Sequence, residues 1–498
     1  MLWIILSILR SIPLVGSFFS ENDQSLYPVV QRLLKKTRKI AIIGYGVGGA
    51  STAYFLRELL GSSVELHVFG DGEVGGRAKV VELAGKKYEA GAVICNKKSL
   101  YMGALTKKFG LKKAMVPDDK FAIFDGIHFV FQSTASTLVT TLTLLWRYGF
   151  GIFKMLSYMH KQWRNFTGIY DMQRKGETFT DPAVMTKAMA MGNDSFYHLT
   201  QISADEHFLK ELGWGSKMVN ELVSGICRNI YSQNISDITA MVGAVSIAGA
   251  EAENLYTIVG GNFQVPMKAL ETSAVEVHNA RVTKVSRVVT PDKTSPSFVL
   301  NYTEDEVVGQ SEYWDAVIVA CPLETSDIEF VGFDTDNWSS IKKLKFHRTV
   351  ANLVHGKLNP KFFGAGEHKA LPQVILTTQM KNPPVDFQTI HVQYPVSLNA
   401  QEAATIDTAQ VYRVASSEPL TEDQLNLIFS EYTDHTVVDW TNAYPEYNVP
   451  ENLGSFVLSD GVYYVNCIEH ISSAMEMSCI GAKNVSLLAT DYLHKQDQ

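Results

Sequence analysis

Five cysteines in 498 residues, an odd count with no C-x-x-C spacing, provide neither a zinc knuckle nor a disulfide framework. A single disulfide stays open, with nothing to choose its partners. Positive charge is also scarce: 44 Lys and Arg stand against 52 Asp and Glu, and the net charge of -8 removes the electrostatic basis for binding nucleic acid. The chain shows no Ser/His/Asp triad, no metal-ligand cluster, no repeat and no low-complexity tract, so we expect no metal. What is present is an ordinary globular balance, 46% hydrophobic and 19% charged. At roughly 150 residues per domain, the length suggests about three domains' worth of chain.

The opening "MLWIILSILRSIPLVGSFFS" is apolar but short, and Arg10 interrupts it. A membrane span needs about 20 apolar residues. Ser17 and Ser20 offer small residues for cleavage, so residues 1–20 read as a secretory signal peptide rather than an anchor. Six N-x-[ST] triplets, at Asn165, Asn193, Asn234, Asn301, Asn337 and Asn484, favour the same compartment as glycosylation sites. The basic run "RLLKKTRK" (32–39) reads as a solvated lead-in. The apolar stretch "STLVTTLTLLWRYGFGIFKMLSYM" is broken by Arg147, Gly149, Gly151 and Lys154. We expect a buried helix pair there, with a surface resting on a membrane as the alternative.

"KIAIIG" is a continuous apolar run of the kind a buried parallel strand requires. It leads into Gly44-x-Gly46-x-x-Gly49, then into "ASTAYFLRELLG", whose apolar residues recur at helical spacing, and then into the strand "VELHVFG". In that βαβ context the glycines form a dinucleotide-binding turn. Gly44 allows the tight turn, Gly46 lets a diphosphate approach the backbone, and Gly49 lets helix and strand pack closely. The diphosphate then meets free N–H groups at the helix start.

"DGEVGGRAKV" follows, with Gly75, Gly76 and Arg77, and then "YEAGAVI" with Glu89 and Gly91. These resemble the second glycine signature and the flavin-supporting strand of the FAD-containing amine oxidase, desaturase and prenylcysteine oxidase superfamily. The resemblance implies FAD as cofactor. The acid that usually ends the second strand is replaced by Gly70, and Asp71, one residue later, is the candidate to hold the adenosine ribose.

The further stretches "LLWRYGF", "NISDITAMVGAVSIAGAEAENLYTIVGGNFQVPMKALETSAVEVHNARVTKV" and "NCIEHISSAMEMSCIGAKNVSLLA" extend the likeness to nearly the whole chain and resemble the prenylcysteine oxidase family. That resemblance implies an α/β fold: a Rossmann-type FAD-binding domain with an inserted mixed α+β substrate domain, of amine-oxidase/desaturase-like architecture. It divides the chain into an FAD-binding βαβ segment (38–100), a mainly helical substrate or membrane-proximal domain (101–245), a second FAD-binding segment (246–330), a mixed β substrate domain (331–455) and a terminal FAD-binding strand and helix (456–498).

It also implies a lysosomal thioether oxidase. Such an enzyme cleaves farnesyl- or geranylgeranyl-cysteine with molecular oxygen into cysteine, a prenyl aldehyde and hydrogen peroxide. Splitting a thioether needs an electron acceptor, and no side chain is one. A prenyl chain needs an apolar tunnel, each buried methylene contributing about 0.8 kcal/mol, and the segment from Leu144 to Met159 is the candidate lining. Val282 resembles the strand residue whose backbone meets the adenine. Glu469 is expected near the ribityl-phosphate side of the flavin, and Glu469 and His470 are the candidates to position water. The rivals are another FAD oxidase of amine oxidase or desaturase type, and an inactive secreted relative.

Overall fold

Ile40, Ala41 and Ile42 are fully buried because their strand, β1 (Arg38–Ile43), runs through the interior of a six-stranded sheet. The structure is a computed structural model that describes residues 37–190, 195–250, 252–289, 296–334, 344–367, 369–379, 383, 385–397 and 410–496. The expected signal peptide, Asn193 and Asn337 lie outside them.

Across this sheet the strands run Glu276–Asn279, β2 (Val64–Gly70), β1, Ala316–Val319, Val462–Tyr464 and Val457–Ser459. The first five are parallel and the last is antiparallel. Strands from near the start, the middle and the end of the chain therefore share one layer. The helix α1 (Val47–Leu60) connects β1 to β2.

A seven-stranded sheet forms the second layer, in the order 429–445, 346–358, 410–416, 389–393, 374–377, 121–124, 129–132. Its last two strands come from residues 101–245, which are otherwise mainly helical. "FAIF" and "FVFQ" are short apolar runs that pair as strands, Phe121–Phe124 lying parallel to Val374–Thr377.

The helices α2 (Thr137–Tyr148) and α3 (Gly151–Phe166) form the expected pair, but they are not buried. Leu138, Leu142, Trp146, Phe150 and Phe153 are exposed, Trp146 by 86%. Arg147 points the other way: its Nε and Nη2 donate to Glu221 at 2.7 and 2.8 Å, and Tyr148 donates to the same carboxylate. In α2 the pattern is inverted, with the Arg147 charge facing the protein and apolar side chains facing out. Among the described residues no helix is long and apolar enough to cross a membrane.

The long helix α4 (Met475–Gln496) closes the chain and packs on α1. Its Asn484 is fully buried, with both ends of the amide on the backbone of Phe179. A glycan has no room there, which removes Asn484 from the expected sites. The Asn234 amide is similarly occupied, by Arg228 and Asp237. Asn165 and Asn301 are partly exposed. All five cysteines are free thiols.

Candidate functional site

The glycine turn is built by close backbone contact. Gly44 has φ +106, and a Cβ there would stand 2.7 Å from the Ala320 carbonyl. Gly49 is tighter still: its Cβ would sit 1.9 Å from the Gly44 carbonyl oxygen. Gly49 is thus a packing residue and does not line the cavity. Gly46 differs. The nearest protein atom to its Cβ would be Gly75 O at 3.8 Å, and the residue lines the cavity, so a side chain there would enter ligand space. Gly46 caps α1 without any side-chain cap, leaving the first N–H groups of α1 free toward the same space. The second glycine motif is tied to the first, with the Gly75 N–H donating to the Tyr45 carbonyl at 3.2 Å.

Tyr45 explains Gly70. A Cβ on residue 70 would fall 2.4 Å from the Tyr45 ring, whose hydroxyl donates to the Gly72 carbonyl at 2.9 Å. The ring fills the place of the missing acid's side chain. Asp71 is exposed beside it and lines the cavity.

That cavity has a volume of about 980 Å³ and runs without a break from the glycine turns into the substrate layer. Gly44, Gly46, Asp71, Gly75, Gly76, Arg77, Glu89, Gly91 and Glu469 all line it. Val282 does not. Its side chain belongs to the hydrophobic core, because the strand Arg281–Val288 leaves the main sheet for a separate four-stranded one.

Arg77 and Glu469 meet head-on, Nη1 to Oε2 at 2.8 Å and Nη2 to Oε1 at 2.5 Å, with Nη1 also donating to the Ala443 carbonyl at 2.9 Å. Burial alone pushes the Glu469 carboxyl up, but Arg77, Ser473 and Asn466 outweigh it and hold it below the usual carboxylate range. An ionised, salt-bridged Glu469 is a poor proton acceptor, and its guanidinium partner is occupied rather than free for phosphate. His470 is buried between Glu324 and Glu451, and does not line the cavity. His470 is therefore not placed to position water, whereas Glu469 reaches the cavity wall as a paired carboxylate.

Glu89 behaves differently. Its Oε1 accepts the Asn262 N–H at 2.6 Å, while its Oε2 is buried without a partner. Burial raises its pKa to about 8, only partly offset by that hydrogen bond, so it carries a proton at neutral pH. Asn262 also clamps the next turn, Nδ2 donating to Ala92 and Val93 carbonyls at 2.8 Å each. The block "VGGNF" thereby positions the Glu89–Gly91 segment.

Beyond this polar end the lining is apolar, including Met115, Phe121, Trp163, Phe166, Phe196, Leu222, Ile226 and Leu376. No residue from Leu144 to Met159 takes part. The helix pair contributes only the end of α3, through Gln162, Trp163 and Phe166. Arg413, His391, Trp440 and Tyr444 line the cavity too and were missed from the sequence. In "QVYRVAS" the strand alternation puts Arg413 on one face with Val411 and Ala415, and a charge on such a face is the available signal.

The sequence matches the prenylcysteine lyase family over residues 131–498. "Prenylcysteine oxidase 1-like" from Bos taurus is 32% identical over 456 residues, covering 91% of this chain and 90% of that protein. "Prenylcysteine oxidase 1" from Homo sapiens is 32% identical over 463 residues, covering 91% and 88%. Among solved structures, cyclohexylamine oxidase from Brevibacterium oxydans superposes with a TM-score of 0.59 at 12% identity, covering 92% of this chain and 100% of that one. A CLA-producing fatty acid isomerase from P. acnes gives 0.59 at 12% identity, covering 91% and 98%.

Proposed function

The chain belongs to the prenylcysteine lyase family, and on that premise we propose that it is an FAD-dependent oxidoreductase cleaving the thioether of farnesyl- or geranylgeranyl-cysteine. The observation that carries this reading is the continuity of the cavity: the glycine turns, the protonated Glu89 and the apolar chamber open into one space. A dinucleotide held at one end therefore reaches a lipid-like chain at the other.

The residues fit a flavin nucleotide. Gly46 leaves the space a Cβ would take, and Glu89, which lines the cavity, has its buried Oε2 without a partner. Gly44, Gly46, Gly76, the start of α1 and Asp71 would hold the diphosphate and the adenosine end, and the Glu89–Gly91 segment would support the ring. Bound there, the flavin supplies the two-electron acceptor that no side chain offers.

The chain does the rest. The chamber excludes water from the prenyl chain and fixes the carbon beside sulfur near the polar end. The overall reaction consumes one thioether, one oxygen and one water, and yields cysteine, a prenyl aldehyde and hydrogen peroxide. The test is to supply S-farnesylcysteine and, separately, putrescine to the purified protein. Aldehyde and peroxide in equal amounts from the first alone support the reading. Turnover of the amine alone refutes it.

Peripheral membrane contact completes the reading. The α2–α3 pair exposes an apolar face while the end of α3 enters the cavity, and Lys154, Lys161 and Arg164 are exposed on the same helix. That arrangement suits an interfacial helix pair through which an amphipathic substrate enters. Burying one such aromatic side chain contributes roughly 1.5–3 kcal/mol. W146S/F150S is expected to lower binding to phosphatidylcholine vesicles at least about 10-fold in sedimentation, with thermal unfolding unchanged because both side chains are at least 80% exposed. Unchanged vesicle binding would remove this contact. Residence in the secretory pathway and lysosome is supported by the composition of residues 1–20 and by the partly exposed Asn165 and Asn301.

A further inference from the structure

Arg413 differs from the other arginines held inside the molecule. Arg77 is paired with Glu469, Arg147 with Glu221, and Arg228 with Asn234 and Thr377. The Arg413 side chain makes no hydrogen bond or ion pair with any described residue, and its Nε is buried with no acceptor. It lies in the strand Gln410–Ser416, in register with His391 on one side and Leu353 on the other.

These neighbours do not neutralise it. Burial, and then the Arg413 charge, hold His391 down to about 3, so the ring is uncharged, with its Nε2 2.7 Å from Asn229 Oδ1. Burial lowers the Arg413 pKa as well, with Tyr444 opposing, but arginine starts so far above neutrality that the guanidinium stays charged. Arg413, His391, Asn229 and Tyr444 all line the substrate cavity. A desolvated cation without a partner is costly unless a ligand brings the anion.

We propose that Arg413 is the anion subsite of this cavity, pairing its planar fork with the α-carboxylate of an S-alkyl amino acid. The inference rests on the thioether reading above. The cavity then has the division its ligand has, a charged head at Arg413 and an apolar chamber for the chain. A diamine or polyamine meets a like charge there and is disfavoured. Guanidinium and carboxylate match in a bidentate pair that an ammonium cannot reproduce.

The test is calorimetric binding to the flavin-loaded protein of two saturated thioethers that lack the allylic C–H: S-dodecylcysteine, and S-dodecylcysteamine without the carboxylate. The wild type is expected to prefer the acid by roughly 100-fold. R413A is expected to lose about that factor for the acid and almost nothing for the amine, and R413K to recover part of it. Equal weakening of both ligands in R413A, as expected if Arg413 acts on the flavin or the fold, overturns the subsite. So does a wild type that binds the two equally, a comparison that stands even if R413A fails to fold. Turnover of S-farnesylcysteine by the wild type reports separately on the thioether reading. Acid preference without turnover supports the subsite and sinks that reading, and turnover without acid preference does the reverse.

Discussion

Alanine at Gly49 is expected to collapse the nucleotide-binding layer, whereas alanine at Gly46 is expected to leave the fold intact and abolish flavin binding. The two substitutions add the same methyl group three residues apart. At Gly49 it meets the Gly44 carbonyl at 1.9 Å, and that carbonyl cannot retreat. The Gly44 N–H is fixed on Phe69 O at 2.6 Å, and the residue abuts Ala320. Overpacking of this kind costs about 1–3 kcal/mol when side chains can yield, and more between backbones. We therefore expect G49A to lose more than about 3 kcal/mol and to be recovered largely insoluble.

At Gly46 the methyl meets only the cavity, and the backbone, at φ -67 and ψ -173, suits alanine. Apoprotein unfolding is then expected to match the wild type, while visible flavin absorbance is lost and FAD affinity falls at least about 100-fold, since the methyl displaces the phosphate from the helix start. A yellow G46A protein would contradict this placement.

The second large effect concerns pH. His470 is 2% exposed, with Nε2 3.0 Å from Glu324 Oε1 and Nδ1 2.9 Å from Glu451 Oε1. Burial disfavours its charge, but the two glutamates more than reverse that and raise its pKa to about 9. In the unfolded chain an ordinary histidine titrates near 6.5. The stabilisation is thus fully present below about pH 6.5 and is lost as the pH rises through about 9. A shift of this size corresponds to about 3 kcal/mol.

The pair also links layers: Glu324 follows the strand Ala316–Val319, and Glu451 accepts the Asn448 N–H at 2.6 Å beyond the long strand Phe429–Pro445. Urea unfolding is expected to show stability falling by roughly that amount between pH 6.5 and 9.5. H470Q is expected to be less stable at pH 6 by at least about 3 kcal/mol, because two buried glutamates face no cation. Its stability should change little over the same pH range. A wild-type profile as flat as that of the variant would show that His470 is neutral in the fold.

The parts legible from the sequence are those in which backbone constraint fixes residue type. Gly44, Gly46 and Gly49 each answer to a distance, and Ile40 to Ile43 are apolar throughout because β1 has hydrogen-bonded neighbours on both sides. What stayed hidden depends on distant partners. Trp146 and its neighbours read as core because an apolar, aromatic run suits a buried helix, while Glu221, which turns the Arg147 charge inward, lies 74 residues on. Asn484 fits a glycosylation triplet, yet faces the Phe179 backbone 305 residues away. "FAIF" and "FVFQ" are too short for periodicity to separate strand from helix. Glu469 and His470 are neighbours in sequence with opposite surroundings, one on the cavity wall beside Arg77 and one sealed behind it. Arg413 announces itself only once the strands are paired and no acid among the described residues bonds to it.

The central claim is that one cavity brings a flavin nucleotide and a prenyl thioether together. The direct measurement is the visible spectrum of the purified, FAD-loaded protein before and after S-farnesylcysteine is added without oxygen. Loss of the oxidised flavin absorbance, with about one prenyl aldehyde released per flavin, is the predicted result. A protein that takes up no FAD, or one whose oxidised spectrum does not change with the thioether present, would contradict it.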